Sequence, residues 1–98
     1  MTGPAVVVDE LTLFVSGASE NSARAIASAK ELCEVRLDGR YRLAVIDVHE
    51  DPAAVLSHGV QAAPTLVRTR PLPMRRFIGD LTDADAVLLT LEIPHGAE

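Results

Sequence analysis

Cys33 is the only cysteine of the chain and the side chain with the greatest intrinsic capacity for covalent chemistry. A disulfide oxidoreductase holds its reactive thiolate at the N-terminus of a helix, where the pKa of the thiol is lowered. The segment that would take this position, "GASENS", contains no cysteine. Cys33 lies several turns later among apolar residues at helical spacing, so we predict a small buried hydrophobic residue. One cysteine also excludes an internal disulfide and a cysteine metal cluster.

The other residues with catalytic potential lack partners in the sequence. The histidines are His49, His58 and His95. None has a neighbour at the spacing of metal ligands, and we expect all three on the surface. Ser19 or Ser22 is explained by helix capping, because no glycine-rich phosphate loop accompanies them. Asp47 interrupts an apolar strand without a second acid or base beside it, so we expect a structural role. The sequence therefore predicts no catalytic residue, no metal site and no cofactor.

The arginines favour recognition instead of catalysis. Four of them lie close together: Arg68, Arg70, Arg75 and Arg76. The whole chain has a net charge of −5, which argues against general nucleic-acid binding. A basic ribbon on an acidic body can steer an acidic protein partner toward it. Adjacent residues of a strand point to opposite faces, so Arg75 and Arg76 are expected to diverge.

The first half of the chain predicts two strands and two helices. A buried strand covers "LTLFVSG", and a helix capped by Ser19 or Asn21 follows it until Gly39. "YRLAVIDVHE" is so apolar that we predict a strand covered on both faces, as in a parallel pair. Asp51 as N-cap, Pro52 at the first helical position and Gly59 past the end then mark a short helix.

The second half predicts two strands and a last helix. "PTLVR" and "MRRFIG" are strand candidates around "TRPLP", where two prolines exclude a regular ladder. "DLTDADAVLLTLEI" is predicted as a helix, capped by Asp80 or by Thr82 in a capping box with Asp85, and stopped by Pro94 and Gly96. The order βαβαββα is that of the thioredoxin fold in one domain, residues 1–98 with a core at about 11–93. Pro64 stands where that fold has a cis-proline.

Three segments resemble the circadian clock protein KaiB family. They are "FVSGASENSARA", "YRLAVIDVHEDP" and "APTLVRTRPLPMRRFIGDL". The resemblance covers nearly the whole chain and implies a non-enzymatic regulator that binds KaiC, a hexameric ATPase. It also implies two folds for one sequence, a thioredoxin-like state and a ground state ordered βαββααβ. The ground state is usually tetrameric, so a homo-oligomer, dimer or tetramer, is within the expectation.

The resemblance also assigns candidate residues. Partner contacts are expected at Asn21 and Arg24 as well as at the four clustered arginines. The candidates for a cis-proline or for the balance between the folds are Pro64, Pro71, Pro73, Gly79 and Asp80. Cyanobacterial members carry a lysine where this chain has Ala44, and that departure counts against binding of the partner KaiA. The alternative function is a thioredoxin-fold binding or dimerisation module acting with a signalling kinase, like the SasA sensory domain.

Compartment and membrane association follow from the distribution of apolar residues. The residues before Leu11 are apolar only at 5–8 and have no basic region before them, so we do not predict a secretory signal. No apolar run approaches the length of a transmembrane helix. The simplest interpretation is a cytoplasmic protein that contacts neither membrane nor nucleic acid.

Overall fold

The computed structural model describes residues 8–93, and these form one four-stranded sheet with three helices. The elements in chain order are β1 (Asp9–Val15), α1 (Glu20–Arg36), β2 (Tyr41–Asp47), α2 (Pro52–Ser57), β3 (Thr65–Arg70), β4 (Arg75–Ile78) and α3 (Ala84–Thr90). The strand order is β2-β1-β3-β4, with β1 and β2 parallel and the other two pairs antiparallel. This is the predicted thioredoxin-like βαβαββα arrangement, and the alternative βαββααβ order is not the one observed.

Hydrophobic residues fill both faces of the sheet, because neighbouring residues of a strand point in opposite directions. Leu11, Leu13 and Val15 of β1 pack with α1 and α3 in the larger core. Phe14 of β1 and Val67 of β3 pack with α2 in the smaller core on the other face. The predicted apolar stripe of α1 is confirmed, since its members enter the larger core.

The helix caps agree with the sequence at two helices and differ at the third. Ser19 caps α1, its hydroxyl accepting a hydrogen bond from the Ser22 N–H, and Asp51 caps α2 before Pro52. The cap of α3 is Asp83, whose side chain accepts from the Ala86 N–H. The predicted caps Asp80 and Thr82 were therefore wrong. Asp80 instead accepts a hydrogen bond from the backbone N–H of Thr82, in the turn that precedes the helix. Pro94, His95 and Gly96 lie outside the described residues.

Strand β2 departs from its prediction. It pairs in parallel with β1 as expected, but it lies at the edge of the sheet. Its apolar side chains are therefore only partly covered, and Val45 remains 42% exposed. The apolar composition of β2 indicated burial on both of its faces, but it is the interior strands β1 and β3 that are buried in this way.

The proline-rich segments flank β3. The Ala63–Pro64, Arg70–Pro71 and Leu72–Pro73 peptide bonds are all cis, so the prediction of a cis Pro64 is confirmed. Strands β3 and β4 pair as the predicted hairpin. Within residues 8–93, no helix combines the length and the apolar character needed to cross a membrane.

Candidate partner-binding site

A cleft of about 510 Å³ lies at the end of the sheet where β1 stops and β3 starts. Its walls are the first turns of α1, the loop before β3 and the loop between β4 and α3. Five residues selected from the sequence line it: Asn21, Arg24, Pro64, Gly79 and Asp80. The fold thus brings together side chains from three separate segments of the chain.

Hydrogen bonds fix the walls of the cleft. The Ser22 hydroxyl donates to the carbonyl of Ser16 over 3.2 Å and ties the start of α1 to the end of β1. The Gly79 N–H donates to the carbonyl of Pro64 over 3.2 Å and joins the other two walls. Gly79 has a φ of 120°, a region that residues with a Cβ rarely adopt. One side-chain and one backbone hydrogen bond therefore connect the three walls of the cleft.

The cleft carries one cation and one anion from different walls. The backbone N–H of Thr82 donates to Asp80 Oδ1 over 2.9 Å. Hydrogen bonds from the Thr82 backbone and side chain lower the pKa of Asp80, and the nearby Arg24 guanidinium lowers it further. Arg24 is 67% exposed and reaches Glu20 only at 4.0 Å. Exposed pairs of this length contribute little, so Arg24 can turn toward a partner at small cost.

A serine and a histidine meet beside this cleft, which the sequence did not predict. Ser16 Oγ lies 3.1 Å from His49 Nε2, and both residues are exposed. Asp47 Oδ1 accepts from the backbone N–H of His49, so the carboxylate does not orient the imidazole ring as in a catalytic triad. The sequence could have indicated this contact, because Ser16 and His49 follow the parallel strands β1 and β2, whose carboxyl ends lie at the same edge of the sheet.

Arg68 lies in the interior and not on a binding surface. Its side chain is 4% exposed on the central strand β3. Nη1 donates to the carbonyl of Glu92 and Nη2 to the carbonyl of Pro73, each over 2.9 Å. Burial raises the pKa of Asp9, and the charge of Arg68 opposes this rise. The assignment of Arg68 to partner contact was therefore wrong for this fold.

The remaining clustered arginines do not form one ribbon. Arg75 and Arg76 diverge to opposite faces, as predicted. Arg75 Nη2 pairs with Glu92 Oε2 at 3.2 Å, whereas the exposed Arg76 donates from Nε to the carbonyl of His58 over 2.6 Å. Arg70 is exposed at the end of β3. The continuous basic ribbon inferred from the sequence is absent from the described residues, because the hairpin turns its arginines in different directions.

The prolines are divided between two ends of the molecule. Pro64 lines the cleft at the start of β3. Pro71 and Pro73 follow the other end of β3, in the exposed turn before β4. Only Pro64 among them therefore belongs to the cleft with Gly79 and Asp80.

Cys33 and His58, two side chains with catalytic potential in the sequence, are withdrawn from the open surface. Cys33 is fully buried, as predicted. Burial raises the pKa of its thiol to about 12, and the charges of Asp9 and Glu34 contribute to the rise. His58 was expected on the surface, but it is half-buried. Its ring packs on the ring of Phe14, with the two ring centroids 5.3 Å apart. Among residues 8–93, no group of three or more histidines, cysteines or acids could hold a metal ion.

Comparison with known proteins identifies the family. The KaiB domain model matches residues 12–93, which includes every wall of the cleft. This chain belongs to the KaiB family. The circadian clock oscillator protein KaiB of Synechococcus elongatus is 43% identical over 86 residues, which cover 88% of this chain and 84% of that protein. The KaiB of Trichodesmium erythraeum is 41% identical over 83 residues, covering 85% of this chain and 80% of the relative.

Solved structures show the same fold at lower sequence identity. The N-terminal domain of Synechococcus elongatus SasA superposes with a TM-score of 0.75 at 24% identity, covering 100% of this chain and 96% of that domain. Mitochondrial thioredoxin 3 of Saccharomyces cerevisiae superposes with a TM-score of 0.68 at 17% identity, covering 88% and 78%. This KaiB-family chain therefore has the thioredoxin-like arrangement, without a cysteine at the start of α1.

Proposed function

We propose that this chain is a non-enzymatic KaiB-like regulator that binds a KaiC-type hexameric ATPase in a circadian or clock-like timing system. The observation that carries the proposal is the 43% identity, over 88% of the chain, to a circadian clock oscillator protein KaiB. The buried Cys33 supports a regulator over a redox enzyme, because a thiol with a pKa of about 12 stays protonated at neutral pH. The proposed compartment remains the cytoplasm, as expected from the sequence.

The cleft beside the N-terminus of α1 is the surface that we assign to the ATPase. Asn21 and Arg24 are exposed there, and Arg24 has only a long ion pair to give up. Arg76 and Arg70 are exposed on other surfaces and remain proposed secondary contacts. Arg75 would first have to leave Glu92, so we expect it to contribute less than Arg24.

The alternative is a binding module that acts with a SasA-like histidine kinase. The thioredoxin-like arrangement shared with the SasA domain keeps this candidate open, although a likeness at 24% identity concerns the fold alone. Capture from the native lysate, with and without ATP, separates the two partners. An ATP-dependent catch of a KaiC-type ATPase supports our proposal, and a catch of a histidine kinase without that ATPase supports the alternative.

A point variant tests the assigned surface. Arg24→Ala should weaken binding to the purified KaiC-type hexamer about tenfold, or roughly 1.4 kcal/mol, because one charge-assisted contact is lost. Arg40→Ala is the matched control, since Arg40 is exposed at the opposite end of the sheet, beside the start of β2. Equal affinities of the two variants at low salt would rule out the cleft as the contact surface.

Of two further properties implied by the family, a second fold remains a proposal and KaiA binding does not. The ground state ordered βαββααβ would require the segment after α2 to be rebuilt, and the thioredoxin-like arrangement is the one described here. Binding of KaiA is not part of our proposal, because Ala44 on β2 replaces the lysine of cyanobacterial members.

A further inference from the structure

Two serine–histidine contacts occur in the described part of the chain, and they differ in the state of the histidine nitrogen. Ser57 Oγ lies 3.1 Å from His58 Nδ1, but that nitrogen also lies 2.8 Å from the carbonyl oxygen of Ala54. A carbonyl oxygen only accepts hydrogen bonds, so His58 Nδ1 carries a proton and cannot take another from a serine. Ser16 Oγ lies 3.1 Å from His49 Nε2, and this nitrogen makes no other hydrogen bond to a described residue.

The backbone places Ser16 and His49 side by side. The Val48 N–H donates to the carbonyl of Val15 over 2.8 Å, and this bond continues the parallel pairing of β1 and β2 by one residue. Ser16 and His49 are the residues that follow this bond on the two segments. The His49 N–H also donates to Asp47 Oδ1 over 2.9 Å, which fixes the turn after β2. Neither backbone bond uses the serine hydroxyl or the imidazole ring, so both groups are free to react together.

The surroundings of Ser16 suit a nucleophile that attacks a small molecule. Its side chain is exposed and lines the cleft of about 510 Å³ at the carboxyl end of β1. A crevice outside the carboxyl ends of the strands is the usual ligand site of an α/β sheet, and this volume lies in the range of small-molecule sites. Asn21 and Arg24 line the same cleft and carry N–H donors of the kind that stabilise an oxyanion. The apolar part of the wall includes Val15 and Ala25, which suits a short acyl chain.

We propose that Ser16 is a site of covalent acylation, at which His49 acts as the general base and the acyl donor is a small activated carboxylic ester. A separation of about 2.6–3.2 Å between nucleophile and base is the usual geometry for this step. Asp47 binds the backbone of His49 and not its ring, so the pair lacks the third member of a triad. We therefore expect a single acyl transfer to each chain instead of rapid turnover. The inference does not rest on KaiC binding, because it concerns the chain alone.

The acyl transfer needs no reactant other than the ester. With the imidazole proton on Nδ1, His49 Nε2 accepts the hydrogen bond from the Ser16 hydroxyl. Oγ attacks the carbonyl carbon of the ester while the hydroxyl proton passes to Nε2. The bond between this carbon and the leaving oxygen then breaks, and the leaving oxygen keeps the electron pair and receives the proton from Nε2. The products are an acyl ester of Ser16, a free alcohol or phenol, and a neutral histidine.

Ser57 is an internal reference for the reactivity of Ser16. Both serines are exposed and both contact a histidine nitrogen at 3.1 Å, but only His49 offers a nitrogen that can take the proton. General-base catalysis contributes typically about 10²–10⁴-fold to a rate. Because the triad is incomplete, we expect the low end of this range, with Ser16 acylated about 100-fold faster than Ser57.

Labelling with p-nitrophenyl acetate tests the site. The purified full chain is incubated with an excess of this ester, and peptides from a digest are followed over time by mass spectrometry. We expect an acetyl group on Ser16 before any appears on Ser57. Both serines belong to the same molecule, so the comparison is independent of protein concentration and of the reactivity of the ester. Equal rates of acetylation at Ser16 and Ser57 would overturn the proposal.

Two variants test the role of the base. His49→Gln keeps a side chain that can form a hydrogen bond with Ser16 but cannot take its proton, so acetylation of Ser16 should slow about 100-fold. Ser57→Ala is the matched control and should leave the rate at Ser16 unchanged. His49 and Ser57 are both exposed, so neither variant should change the circular dichroism spectrum. Acetylation of Ser16 at the wild-type rate in His49→Gln would show that the histidine is not the base and would overturn the proposal.

Discussion

Replacement of the buried Arg68 by methionine is the sharpest test of how this fold is held together. The guanidinium of Arg68 joins two distant segments, since it donates to the carbonyl of Glu92 after α3 and to the carbonyl of Pro73 before β4. Its charge also opposes the rise that burial causes in the pKa of Asp9, at the start of β1. Methionine keeps most of the side-chain volume and removes both donors and the charge.

The expected loss follows from the groups that are left without a partner. Each hydrogen bond from a charged group contributes about 1.5–3 kcal/mol, so two of them amount to roughly 3–6 kcal/mol. The Nε atom of Arg68 is itself buried without a partner, and its removal relieves about 1–3 kcal/mol. From the middle of each range, the net destabilisation of Arg68→Met is about 2.5 kcal/mol, a large part of the stability of a small domain.

Urea unfolding followed by circular dichroism measures this loss. Arg70→Met is the matched control, because Arg70 is exposed at the end of the same strand. We expect the control to stay within about 0.5 kcal/mol of the wild type. Asp9→Asn should be better tolerated in the Arg68→Met background than alone, since the charge of Arg68 favours the ionised carboxyl group of Asp9 and its loss leaves only the effect of burial. If Arg68→Met were no less stable than Arg70→Met, the role of the buried guanidinium would be refuted.

Three further predictions concern the thiol, the cleft and the last helix. The protein should not reduce insulin, and its Cys33 should resist a thiol reagent until the chain unfolds, because burial keeps the thiol protonated; turnover that disappears in Cys33→Ser would contradict this. Asp80→Asn should lower the free energy of unfolding at neutral pH. The pKa of Asp80 is lowered by its Thr82 hydrogen bonds, so this difference should vanish as the pH falls below 3.8, and a constant difference would exclude the linkage. Backbone chemical shifts in solution should be helical at residues 87–91, whereas extended shifts there with helical shifts at 75–77 would indicate the ground-state fold.

The order of the elements could be predicted because local patterns agreed with one another. Ser19, Asp51 and Pro52 marked helix starts correctly, and the apolar stripe of α1 identified its buried face. The cap of α3 was less determined, because Asp80, Thr82 and Asp83 all have side chains that can accept a backbone N–H within one short segment. Local chemistry alone therefore leaves several helix starts open.

The convergence of the cleft residues could be predicted only in part. Asn21 and Arg24 share the start of one helix, and Gly79 and Asp80 are adjacent, so each pair was visible in the sequence. These two pairs of residues both lie near Pro64 because the sheet order places β3 between β1 and β4. The sequence did not establish that order. The Ser16–His49 contact was missed for the same reason, since its two residues are 33 positions apart.

Arg68 shows why a cluster of charges in the sequence does not establish a surface. The four arginines near β4 are close in the chain, but the hairpin gives each one a different environment. Strand β3 is paired on both edges, and its two faces enter the two hydrophobic clusters, so a charge within it must find partners inside the protein. Those partners are the carbonyls of Pro73 and Glu92, and only the completed fold brings Glu92, 24 residues away, to β3. The position of β3 in the sheet, and not the identity of its residue at 68, therefore decides whether that arginine binds a partner or stabilises the core.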